Sequence, residues 1–99
     1  MDFEEVFEQS EVRQLMQAFL TLRTEEDIRS FLTDLCTPRE IWDFAQRLEV
    51  ARHLDVGESY ASVQEKTGVS STTVSRVSKT LSEGEGGYQR VFERLDEGE

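Results

Sequence analysis

The sequence lacks most of what usually staples a small fold. It has one cysteine, Cys36, and therefore no internal disulfide, and its one histidine, His53, makes no zinc set with a single cysteine. With one proline, Pro38, and glycines mostly beyond position 83, long stretches run without punctuation. No stretch alternates cleanly at the two-residue period of a strand, which leaves an all-α class. No apolar run approaches the roughly 18 residues of a membrane span, and Met1-Asp2-Phe3-Glu4-Glu5 has no basic start of a secretory signal, so a cytoplasmic protein is expected. Catalysis is not expected either. The only imidazole has no nucleophile near it in sequence beyond motif hydroxyls, and the carboxylates spread along exposed faces without the spacing of a metal or acid/base pair.

Positive charge is scarce as well: 11 Lys and Arg face 21 Asp and Glu, a net charge of −10. That balance argues against nucleic acid until its distribution is examined. Residues 1–58 hold 14 acids and 6 bases, residues 83–99 hold 6 acids and 2 bases, and residues 59–82 hold 1 acid and 3 bases. One basic segment in an acidic body suits specific contact with a polyanion without coating it.

Caps and periodicity divide the 99 residues into six helical stretches of a single domain. The first, about Asp2 to Leu22, places Phe3, Val6, Phe7, Leu15, Met16, Phe19 and Leu20 at three- and four-residue steps, thinned between Gln9 and Gln14. Thr24-Glu25-Glu26-Asp27 opens a second, which is expected to bury Ile28, Phe31, Leu32 and Leu35 and to run to about Cys36. Thr37-Pro38-Arg39-Glu40 opens a third, to about Asp55, with Gly57 as its stop. Its apolar set of Ile41, Trp42, Phe44, Ala45, Leu48, Ala51 and Leu54 is wider than one stripe and predicts contacts on two sides. After the motif described next come a flexible loop holding Gly84, Gly86 and Gly87, a short last helix with Tyr88, Val91, Phe92 and Leu95, and a solvated acidic end. Residues 1–58 are therefore expected to form a dimerisation core, because two apolar N-terminal helices on so short a chain need a partner to pack against. A compact six-helix monomer is the alternative.

Residues 59–82 carry the functional signal. A short helix, about Tyr60 to Thr67, ends at Gly68, which can take the left-handed conformation of a tight turn. Val69 faces inward, Ser70 caps a second helix, and Val74, Val77 and Leu81 pack against Val63. These spacings fit a helix-turn-helix. The exposed positions of the second helix hold Ser71, Thr72, Thr73, Ser75, Arg76 and Lys79, hydroxyls and cations that can donate to phosphates and base edges. With Tyr60, Gln64 and Ser70 they make up the expected DNA-binding set.

Several of these residues also form a pattern: the helix start at Thr37-Pro38, Arg47 ten positions into that stretch, the Gly68-Val69-Ser70 turn and the run Thr73-Val74-Ser75-Arg76. From about Phe31 to Leu95 the chain resembles the Trp repressor superfamily, especially its YerC/YecD-type branch. The resemblance implies an intertwined all-helical homodimer, a repressor with two reading heads that each present the second motif helix to the major groove of a palindromic operator. It also implies a slot for a small-molecule co-repressor, lined by Arg47, Arg76, Thr80 and Thr37 of the partner chain. Two departures stand against tryptophan as that ligand. Val77 replaces a glycine where an indole ring must approach the backbone, and Cys36 replaces a larger apolar residue. The simpler readings are an Arg47 salt bridge to acids such as Asp43 and a phosphate contact for Arg76. His53 is expected as a partly exposed helix residue or hydrogen-bonder at the core's edge, and Cys36 as a small buried apolar residue. The competing function is an acidic helical adaptor that uses the same fold for packing and binds a protein.

Overall fold

The computed structural model describes residues 1–98. Among them it contains seven helices and no strand: α1 (Phe3–Glu8), α2 (Ser10–Leu20), α3 (Glu25–Leu35), α4 (Pro38–Asp55), α5 (Tyr60–Thr67), α6 (Ser71–Glu83) and α7 (Gly87–Glu97). The all-α expectation holds, with one helix more than the sequence indicated. The extra one arises because the expected first helix breaks at Gln9, whose backbone is extended at φ −69° and ψ 135°. Gln9 closes α1 by donating its side-chain amide to the Glu5 carbonyl at 3.0 Å and its backbone N–H to the Val6 carbonyl at 3.1 Å. The break falls where the apolar stripe thins, so it forfeits little packing.

Two compact units follow one another along the chain, residues 1–37 and residues from Pro38 on. In the first, the Asp2 carboxylate caps α1 by accepting from Glu5 N–H at 2.8 Å, and Thr24 Oγ1 caps α3 by accepting from Asp27 N–H at 3.1 Å. No residue of α1, α2 or α3 is buried. This corrects the expectation for α3: Ile28 and Leu35 are exposed, and Phe31 and Leu32 only half-buried. Three short helices have too few neighbours to surround a side chain. Cys36, a free thiol, is half-buried rather than buried.

The second unit has a core of Val50, Ala51, Val63, Val74, Val77 and Phe92, edged by Leu54, Val69, Leu81 and Tyr88. The helix α4, which has the predicted bounds, gives this core Val50 and Ala51. Its Trp42, Phe44 and Leu48 stay exposed within one chain, Trp42 to 57%. Two corrections concern the C-terminal part. Gly87 begins α7 instead of lying in the loop, and α7 runs through Glu97, so the acidic end is helical to that point. What shortens the loop is the way α7 docks. Phe92 is buried, Tyr88 stacks on it at 6.2 Å, and Arg52 of α4 lays its guanidinium 4.8 Å from the Phe92 ring while pairing with Asp96. Gly84 ends α6 by donating to the Thr80 carbonyl at 2.8 Å. A Cβ there would lie 2.5 Å from that oxygen, so only glycine fits. No helix among the described residues is long and apolar enough to cross a membrane.

Candidate nucleic-acid interface

The helix-turn-helix forms as its caps dictate. Ser59 Oγ accepts from Ser62 N–H at 3.2 Å and opens α5. Gly68 then turns the chain at φ +74°, donating to the Gln64 carbonyl at 2.8 Å, a conformation that a side chain would strain. Ser70 Oγ accepts from Thr73 N–H at 3.2 Å and opens α6. Val63 of α5 and Val74 and Val77 of α6 are buried together in the core, which fixes the roll of α6 about its axis.

That roll decides which side chains face outward. Ser71, Thr72, Ser75, Arg76 and Lys79 are all exposed, so five of the expected set share the open side of α6. The other four differ. Ser70 and Thr73 are engaged with each other at the cap, their hydroxyl oxygens 3.2 Å apart, and Thr73 is half-buried. Gln64 is half-buried on α5. Tyr60, half-exposed, donates its phenol hydroxyl to Ser78 Oγ of α6. Ser78 was absent from the expected set, since nothing in the sequence pairs positions 18 residues apart across a turn.

The charge of the motif is also partly spent. Lys66 donates to one oxygen of Glu58, whose other oxygen meets His53 Nδ1, while His53 Nε2 lies 2.9 Å from Glu49. The hydrogen bond from Lys66, and next that from His53, hold the Glu58 carboxyl below the usual range. Of the three bases in residues 59–82, one is therefore neutralised locally, and Arg76 and Lys79 carry the positive charge of the α6 face. His53 is part-buried and bonded at the edge of the motif, as its position on α4 implied.

Among the residues implied for an effector slot, Arg47 does not make the salt bridge to Asp43 that the simpler reading expected. Arg47 is exposed; its Nε donates to the Asp43 backbone carbonyl at 3.4 Å, and its guanidinium lies 5.1 Å from the Phe44 ring. The Asp43 carboxylate pairs instead with Arg39 at 3.1 Å. Arg39 and Arg47 stand one turn to either side of Asp43, and the side chain reaches only the former. Thr80 Oγ1 donates to the Arg76 carbonyl at 3.1 Å. Thr37 lies at the junction of the two units, and Val77 is a core residue only 4% exposed. Among the described residues, no group of three or more His, Cys, Asp or Glu is placed to hold a metal ion.

The family model described as Trp repressor protein matches residues 10–96, nearly the whole chain. The chain belongs to the Trp repressor family. It is 42% identical over 89 residues to the uncharacterized protein YerC of Bacillus subtilis, covering 90% of this chain and 86% of that one. The solved structure of a TrpR-like protein from Eubacterium eligens matches with a TM-score of 0.87 and 43% identity, over 91% of this chain and 93% of that one. A solved Staphylococcus aureus structure matches with a TM-score of 0.90 and 34% identity, over 97% and 95% of the respective chains. The likeness therefore extends to the N-terminal helices, beyond the stretch where the sequence alone displayed it. The fold and family are those of non-enzymatic regulators.

Proposed function

We propose that this Trp repressor family member is a sequence-specific DNA-binding transcriptional regulator of the cytoplasm, a repressor that works as a homodimer and docks α6 in the major groove of a palindromic operator. One observation carries the reading. The exposed side of α6 gathers Ser71, Thr72, Ser75, Arg76 and Lys79, with no acid among them before Glu83, on a helix whose opposite side is locked in the core. Short hydroxyls and cations on a helix of fixed roll are suited to base edges and phosphates.

The partner is a second copy. Residues 1–37 leave every apolar side chain exposed or only half-buried, and α4 leaves Trp42, Phe44 and Leu48 exposed, so a facing copy supplies what the single chain lacks. Two reading heads then require half-sites about 10 base pairs apart, or a multiple of that. The net charge of −10 keeps non-specific affinity low, which leaves discrimination to the contacts of α6. Repression needs no tryptophan, because the Val77 side chain is packed in the core on the helix that would line the slot.

The test is selection of bound sequences from random DNA, followed by mobility shift on the selected site at two salt concentrations. A two-fold symmetric site whose binding weakens with salt is expected. Absence of any salt-dependent DNA binding would leave the acidic adaptor as the reading.

A further inference from the structure

We infer that Tyr60 acts as a positioning residue that holds α6 at its reading angle through Ser78, an inference that rests on the DNA-binding reading of the motif. The two helices of the motif are joined by the turn at Gly68, and Tyr60 is the first residue of α5, at the end farthest in sequence from that turn. Its phenol bonds Ser78, in the third turn of α6 and likewise well beyond the turn. Val63 ties α5 to the core between these two points, and one glycine sets the turn. A change in the angle between two joined helices moves the residues far from the turn most, so a bond between such residues resists it with a long lever.

The same geometry says why a direct DNA role fits Tyr60 less well. Its hydroxyl already has a partner inside the motif, Ser78 Oγ, which holds the phenol toward α6. The tie lies at the surface and links side chains 18 residues apart, with the turn of the motif between them. Removing it should leave the buried valines in place and loosen only the relative setting of the two helices. The loss should appear as affinity, by roughly three- to tenfold, the range of a single net hydrogen bond.

The experiment compares Tyr60→Phe, Ser78→Ala and the double variant in the full chain for operator affinity, salt dependence and hydrogen exchange of the α6 amides without DNA. Each single variant should lose affinity by a similar factor, the double variant should lose no more than either, and Ser78→Thr, which keeps a hydroxyl, should retain wild-type binding. The salt slope should be unchanged, and α6 amides should exchange faster in both single variants. A loss confined to Tyr60→Phe with a flatter salt slope would make Tyr60 a phosphate contact and overturn the inference, as would additive losses or unaltered exchange. Exchange is read without DNA. If the wild-type protein bound no DNA, faster exchange in both variants would uphold the tie while the DNA-binding reading failed.

Discussion

Phe19 of α2 and Phe31 of α3 meet edge to face, ring centroids 5.4 Å apart and planes at 84°, within a unit where no helix buries a single residue. An aromatic pair of this kind adds about 0.5–1.5 kcal/mol beyond its burial. That is too little to order three helices against their conformational entropy, which costs about 1–2 kcal/mol per residue. In the proposed homodimer a second copy would cover this pair and the exposed apolar side chains around it. The protein should be a dimer at micromolar concentration, with a melting temperature that rises with protein concentration. Light scattering that gives a monomer mass across a tenfold concentration range would refute it.

Trp42 offers a spectroscopic check on the same assembly. It is the only tryptophan, and the residue is 57% exposed within one chain. If the partner covers it, its emission in the assembled protein should lie to the blue of an exposed indole and shift red on dilution to monomer. Trp42→Ala should cost about 3–5 kcal/mol of dimer stability, the usual loss for a large ring removed from a core.

What the sequence made legible follows from where its signals are local. Caps and turns act within four residues, so α4, α5 and the start of α6 appear at the bounds that Thr37-Pro38, Gly68 and Ser70 imply. The break at Gln9 was not marked, because glutamine is an ordinary helix residue and its closing bonds to Glu5 and Val6 are visible only in three dimensions. Burial was legible where α5 and α6 pack on their own chain. It failed for Val50, which was absent from the expected set, because the wide apolar face of α4 hides which side meets the core. The outward face of α6 was readable from period except at Thr73, which is half-buried and engaged with Ser70 at the cap. The ties that frame it, Tyr60 to Ser78 and Glu58 to Lys66, join residues 18 and 8 apart and leave no periodic trace.

Glu58 predicts how the motif answers to acid. Its folded pKa is lowered, chiefly by Lys66 and then by His53, so its contribution to stability is present above the unfolded glutamate value and fades as pH falls through the folded one. Glu58→Gln should therefore lower the melting temperature at pH 7, and the gap from wild type should close as pH drops below about 4, the ordinary carboxylate range. A gap independent of pH would show that the carboxylate charge is not what ties the start of α5 to Lys66.

Ligand control is tested at Arg47 and Val77. Operator affinity should be the same with and without free tryptophan, since position 77, where the resemblance implies a glycine, holds a branched core side chain only 4% exposed. Calorimetry should detect no amino-acid binding. A heat signal with tryptophan that disappears in Arg47→Ala would reverse this. Val77→Gly is a poor rescue for an indole site, because it removes a core side chain and places glycine in mid-helix at a further cost of about 1 kcal/mol.

On the α6 face, affinity and specificity should separate along the helix. Thr72 and Ser75 lie in its first two turns, where a short side chain can reach a base edge only if the helix start enters the groove, whereas the longer Lys79 sits a turn further on. Lys79→Ala should weaken binding to every sequence alike and flatten the salt dependence by about one unit of slope per reading head. Thr72→Ala should instead change which base is preferred at one position of each half-site, at a cost of about 1–3 kcal/mol for the preferred site, and leave the salt slope alone. Because Lys66 is already paired with Glu58, Lys66→Ala should flatten the salt slope by less than Lys79→Ala does. Sequence selection repeated on each variant, with titrations at several salt concentrations, measures all three effects. An unaltered preference in the Thr72→Ala/Ser75→Ala double variant would mean that a different surface faces the bases.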